Sequence, residues 1–335
     1  MNAGKSYSLP DFLRWTRRKM LWPAIIGTVS TTLYLFADFK WLAIPWTVIA
    51  LLGTATAFMV GFKNQQTYNR TWEARQIWGG AMGASRSWAI MCRDFINDSD
   101  RSRELIYRHF AWITALRYQL RTSRDWETVT KAYNREYTKY YSIPENESPL
   151  EEELAKYISA EELKQILTTK NRAAQLLSQQ GNAVREIYDI GLIDGLAFSD
   201  MHKAVRDLFE HQGKSERIKN FPYPRQYATI NLILINLFSI LLPFGMLGEF
   251  DKLNEHVTGF MKGNMVLLVI PFSILISWVY SSLEQVGEST ENPFEGSAND
   301  VPISQMSRAV EIDIREMLGE RDLPAALQPK HNIVL

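Results

Sequence analysis

Residues 41–62 read WLAIPWTVIALLGTATAFMVGF, 22 positions without a charged side chain. As a helix this run covers about 33 Å at 1.5 Å per residue, enough to cross a hydrocarbon core of about 30 Å. Runs 20–37, 226–248 and 264–283 are also free of charge. One such run would fit a buried core helix. Four, grouped as two pairs towards the two ends of the chain, fit membrane spans. Run 20–37 begins well inside the chain, lacks a small-x-small cleavage site and is followed at once by a second apolar run, so it reads as a span and not as a cleaved leader.

The rest of the composition has to be read around these runs. The 37 basic and 37 acidic side chains cancel, which excludes a generally basic nucleic-acid binder. With 46% hydrophobic residues and ten tryptophans the chain can bury a large core, which argues against disorder. The single cysteine, Cys92, permits no intrachain disulfide and no Cys-rich zinc site. It stands beside Ile90, Met91 and Phe95, where a small buried hydrophobe is expected.

Basic residues orient the spans. Lys5, Arg14, Arg17, Arg18 and Lys19 precede the first, Lys63, Arg70 and Arg75 follow the second, and Lys214, Arg217, Lys219 and Arg225 precede the third. The short links within each pair carry only Lys40, Lys252 and Lys262. The positive-inside rule therefore places both termini and the central region in the cytoplasm of a multi-pass inner-membrane protein. The expected organisation is a cytosolic N-terminal helix (1–19), two spans (20–62), a cytosolic helical domain (63–225), two more spans (226–283) and a cytosolic C-terminal segment (284–335).

Apolar and aromatic residues recur every three or four positions over 76–97 and 101–121, including Leu105, His109, Trp112, Ile113, Leu116 and Leu120. Asp98-Ser99-Asp100 should break one helix and cap the next. Residues 147–167 read as helix starts with Ser148 and Ser159 as caps, and 173–209 as one long helical stretch kinked near Gly191 or Gly195. Phe221-Pro222-Tyr223-Pro224 should be extended, because each residue before a proline is pushed from the α region. Strand patterns, internal repeats and low-complexity segments are lacking.

No catalytic constellation emerges. The five histidines have no partner at metal-ligand spacing, and solvated or hydrogen-bonded rings are expected. No Gly-rich phosphate loop or nucleophile elbow is present, and the acidic runs 151–153 and 161–162 read as solvated helix faces. None of the four runs contains an Asp, Glu, Lys, Arg or His, whereas proton pumps and many coupled transporters place such groups at membrane depth. Asn231 and Asn236 can hydrogen-bond between helices, and Pro45, Pro243 and Pro271 can kink spans.

Within 41–62, Gly53, Ala57 and Gly61 recur at spacing four and can let helix backbones approach closely. About 100° round the helix, Thr54, Phe58 and Phe62 form the next stripe. From spacing alone, core or lipid-facing phenyl rings are the simpler reading. The functional alternative is a ring of identical helices whose phenyls make a hydrophobic constriction.

Residues 61–79, GFKNQQTYNRTWEARQIWG, resemble the bestrophin family at its most recognisable stretch. ERIKN at 216–220 running into PYPRQY at 222–227, and NPFEG at 292–296 followed by NDVPI at 299–303, match in the same order. The resemblance covers nearly the whole chain and is greatest to short prokaryotic members. It implies an all-α membrane protein with four transmembrane helices per subunit and a helical cytosolic vestibule, assembled in the bilayer as a homopentameric ion channel and not an enzyme. Carried over by position, the pore neck is lined by Thr54, Phe58 and Phe62, the stripe found by spacing. A second, cytosolic constriction falls near 193–197, with Leu196 as the best single position.

Animal members bind calcium after the Asn-Pro-Phe motif through a run of acidic residues. Here Asn292 and Asp300 remain, but Ser297 stands where a carboxylate is expected. A hard cation prefers several charged oxygens, so no metal, calcium requirement or cofactor is expected. The expected partners are four further copies of the chain, the bilayer and a permeant small ion, chloride first, without nucleic acid. The family includes both anion- and cation-selecting channels. Edge-on phenyl rings favour an anion and face-on rings a cation, which keeps a cation-selective channel as the alternative. A secondary transporter would need a midplane site in broken helices or inverted repeats. A membrane scaffold would need no pore.

Overall fold

A computed structural model describes all 335 residues. The chain is helical throughout, and its few β-type pairings are isolated bridges such as that between Asn2 and Ile333. The principal helices are α1 (Leu9–Thr16), α2 (Leu21–Phe36), α3 (Trp46–Phe95), α4 (Ser99–Arg121), α5 (Arg172–Asp189), α6 (Gly195–Asn220), α7 (Arg225–Lys252), α8 (Val269–Ser289) and α9 (Ile303–Met317). Four shorter helices, Ala132–Tyr137, Pro144–Glu147, Leu150–Leu154 and Ala160–Leu167, lie between α4 and α5. These elements form two compact units: Met1–Lys5, Arg70–Pro222 and Asn292–Leu335 make one, Ser6–Asn69 and Tyr223–Glu291 the other.

The second unit contains the apolar runs. Three helical segments, Lys40–Phe95, Arg225–Glu255 and Met265–Ser289, are long and apolar enough to cross a membrane, the first of them continuing past Asn69. The first run forms only the 16-residue α2, about 24 Å long. A 3₁₀ turn, Arg17–Met20, leads into it, and Asp38, with φ of 55°, lies just beyond its end. Tyr34, Ile49, Phe238, Leu242, Met246, Leu247, Val266 and Val269 form the core of this unit. α2 and α8 approach closely at Gly27, where a Cβ would stand 2.7 Å from Ser273 Oγ. Pro45 precedes α3 and starts that helix, and Pro271 occupies the first turn of α8, so only Pro243 lies in a helix interior. α1 is tied to α8 by Trp278 Nε1 donating to Thr16 Oγ1 and Gln285 Nε2 donating to the Trp15 carbonyl, both at 2.9 Å.

Most of the uncharged run 41–62 and of the periodic stretch 76–97 belongs to one 50-residue helix, α3. It ends at Phe95, and Asp98 caps α4 by accepting from the amides of Asp100 and Arg101. Ser159 likewise caps the helix Ala160–Leu167. Ser148 does not act as a cap: its hydroxyl turns to Glu153 at 2.9 Å, and Pro149 holds the N-cap position of the next helix. The stretch 173–209 is broken and not kinked. Gly191 takes φ of 75° after α5, a conformation that costs glycine little, and Asp194 caps α6 through the Ala197 amide. The core of the first unit gathers around Trp78, Trp88, Phe110, Trp112 and Leu116, with Cys92 buried among them as expected. His109 departs from the expectation of a solvated or bonded ring. It is fully buried with neither nitrogen hydrogen-bonded, and burial lowers its pKa to about 3, which keeps it neutral.

Candidate functional site

The faces of α3 follow from its spacing. Ile49, Gly53, Thr56, Val60, Lys63 and Thr67 recur every three or four residues and are all buried. Gly53 lets the Phe238 ring of α7 come close, since a Cβ there would lie 2.8 Å from Phe238 Cε2. The Gly53 carbonyl accepts from Tyr280 Oη of α8 at 3.2 Å. Thr54 and Phe58 point away from this face. Phe58 is 73% exposed, and the Thr54 hydroxyl donates back to the Ala50 carbonyl at 2.8 Å. Phe62 is 41% exposed, with the Tyr227 ring 6.0 Å away. The small-residue stripe divides: Gly53 packs inward, whereas Ala57 is exposed and Gly61 has open space where a side chain would be. Spacing of four drifts about 40° per step on a helix of 100° per residue, which carries the stripe off the intrachain face.

At the C-terminal end of this segment the inner face becomes polar. Lys63 Nζ lies 2.6 Å from Glu284 Oε1 of α8, and the two side chains are 3% and 6% exposed. The other Glu284 oxygen accepts from Asn231 Nδ2 of α7. The Asn64 side chain occupies the space a Cβ would need at Gly287, and Thr290 Oγ1 donates to Thr67 Oγ1 at 3.2 Å. Lys63 and Glu284 each adjoin an uncharged run, and in the sequence Lys63 stands out only as one of the basic residues that orient the spans. The two residues are 221 positions apart, and no local signal announces the pair.

In the first unit the motif residues serve an internal polar network. Glu216 accepts from the side-chain amides of Gln119, Asn171 and Gln212 at 2.7–2.9 Å. Lys219 pairs with Glu127, and Arg70 donates to the carbonyls of Ile218 and Phe221. After the Asn-Pro-Phe motif, Arg121 donates to the Phe294 carbonyl at 3.0 Å, to Asp300 at 3.2 Å and to Glu145 at 3.4 Å. Arg117 and Ser304 complete the shell of Glu145 at 2.8 and 2.6 Å. Asp300 also accepts from the Gly296 amide at 2.6 Å and the Ser297 hydroxyl at 2.5 Å. Ser297, where a carboxylate was expected, thus donates to the neighbouring acid. Burial pushes the Asp300 carboxyl up, and Arg121 pulls it back. Glu295 is held by the Thr128 amide and hydroxyl at 2.8 and 2.7 Å; burial, with Asp300 nearby, raises its pKa to about 8. Leu196 is 80% exposed in the first turn of α6, whereas neighbouring Ile193 is buried.

Residues 17–316 match the family model described as bacterial/fungal bestrophin protein. The chain is 27% identical to the voltage-dependent anion channel-forming protein YneE of Escherichia coli K12, across 96% of this chain and 97% of that one. It is 25% identical to a protein of Ralstonia nicotianae with the same description, across 83% and 78% of the two chains. Its fold matches the crystal structure of a bacterial bestrophin homologue from Klebsiella pneumoniae with a TM-score of 0.74 at 22% identity, covering 91% of this chain and 99% of that one.

Proposed function

The chain belongs to the bacterial and fungal bestrophin family, and on that premise we propose a passive, chloride-conducting channel of the inner membrane. It is a homopentamer in which five α3 helices surround the ion path and both termini lie in the cytoplasm. Thr54, Phe58 and Phe62 line the neck, and Leu196 forms a second, cytosolic constriction. One observation carries this reading: within an apolar helix, two phenyl rings stand out from their own chain beside the uncovered Ala57 and Gly61. Neighbouring copies would cover the small residues and leave the phenyls on the axis. The anion assignment is supported by the names of the curated relatives. It agrees with ring edges, which carry partial positive charge, pointing into a lumen.

Purified protein in liposomes under a KCl gradient tests the whole reading. The expected result is a particle with the mass of five chains that dissipates the gradient without counter-substrate and reverses near the chloride equilibrium potential. Reversal near that of potassium would establish the cation channel. A counter-substrate requirement would establish a transporter, and an inert particle a scaffold. A conducting monomer would remove the neck.

Calcium independence is expected as well. Arg121 already supplies the positive charge that Asp300 faces, and the Ser297 hydroxyl and Gly296 amide occupy two further acceptor sites. Adding a chelator should leave the current unchanged. Strong activation by micromolar calcium would show that these donors yield to a cation.

A further inference from the structure

We infer that Lys63 and Glu284 form a charge-neutral clamp that positions the cytosolic end of the phenyl wall and keeps net charge away from the ion path. This rests on the neck reading above. Lys63 follows Phe62 directly in α3, so fixing its side chain fixes the last turn of that wall. The ammonium binds one oxygen of Glu284 at 2.6 Å and Asn231 binds the other, which ties α3, α7 and α8 together at one level. Glycine at 287 leaves room for Asn64, and the Thr290–Thr67 bond continues the seam one turn further.

Both ions are almost completely buried, so neither is screened by water or salt. Paired, their fields largely cancel. Removing one partner leaves an uncompensated ionisable group beside the neck, repeated in every subunit, and the fraction of it that stays ionised acts with its own sign. This separates a clamp from a merely structural contact: loss of a structural contact has no sign, whereas an unbalanced charge does. A bare carboxylate attracts cations and repels anions, and a bare ammonium does the reverse.

Lys63→Met and Glu284→Gln, each reconstituted as the full-length assembly, provide the test through reversal potentials in a KCl gradient. Lys63→Met is expected to lower the chloride-to-potassium permeability ratio, by about tenfold or more where the freed carboxylates stay ionised, since each acts with opposite sign on anion and cation. Glu284→Gln is expected to move the ratio the opposite way. The exchange Lys63→Glu with Glu284→Lys restores a pair, and Asn231 can turn its amide to accept from the relocated ammonium. The exchange should return the ratio towards that of the unaltered channel. Shifts of the same sign, or an unchanged ratio in intact assemblies, would overturn the clamp. Where a single variant fails to assemble, the exchange decides: assembly with the original ratio supports the clamp, and failure or an altered ratio overturns it. Phe58→Ala tests the neck separately, because its current depends on ring size and not on charge.

Discussion

Replacing Phe58 by alanine should raise single-channel conductance and weaken ion discrimination, without loss of the assembly. In the proposed neck the substitution acts five times at one level of the pore. It removes five phenyl rings, widens the constriction and makes it easier to wet. A barrier lower by about 1.4 kcal/mol corresponds to roughly tenfold faster crossing, and the rise in conductance should approach that scale if this level is the highest barrier. A packed phenylalanine would behave differently, since truncation there leaves a cavity and costs about 3–5 kcal/mol. Phe58, at 73% exposure, has few intrachain contacts to lose. Thr54, one turn away on the same stripe, is smaller, and its hydroxyl is already bonded to the Ala50 carbonyl. Its replacement should change conductance more gently. Single-channel current, reversal potential and assembly mass of Phe58→Ala should be measured together. An intact pentamer with unchanged current and selectivity would remove Phe58 from the pore.

Arg121→Met should destabilise the protein by about 3–5 kcal/mol, the usual cost of stripping one partner from a buried ionic network. Arg121 is the cation shared by Glu145 and Asp300, and all three side chains are at most 3% exposed. Methionine fills much of the volume but leaves Asp300 without the Arg121 charge, while Glu145 keeps Arg117 as its one cation beside the Ser304 hydroxyl. Burial also disfavours the charged form of Asp300, so the loss falls on a group already strained by desolvation. Arg121→Lys should recover only part of the stability, because an ammonium cannot reproduce the forked contacts to Glu145, Asp300 and the Phe294 carbonyl. Thermal unfolding followed by tryptophan fluorescence measures this. A midpoint unchanged by Arg121→Met would mean that the network contributes no net stability.

The two variants probe features of different origin. Features set by neighbours along the chain are local. Uncharged runs marked the apolar helices, because a helix at membrane depth must hide its backbone and can carry few charges. Asp98 and Ser159 were legible as caps because each satisfies amides two or three residues away. The Thr54–Phe58–Phe62 stripe followed from 100° per residue along one helix. The polar stretch 63–75 gave no sign that α3 runs unbroken to Phe95, since a solvated helix and a helical loop domain have similar composition. Gly191 read as a kink within one long helix, and only the packed structure separates α5 from α6 there. Tertiary structure alone decided which polar groups meet. Lys63 and Glu284 are 221 positions apart, and Arg121 and Asp300 are 179 apart. Residues at such separations carry no periodic signal, because their pairing depends on how helices pack. Once packed, burial turns ordinary charges into ones that must be matched.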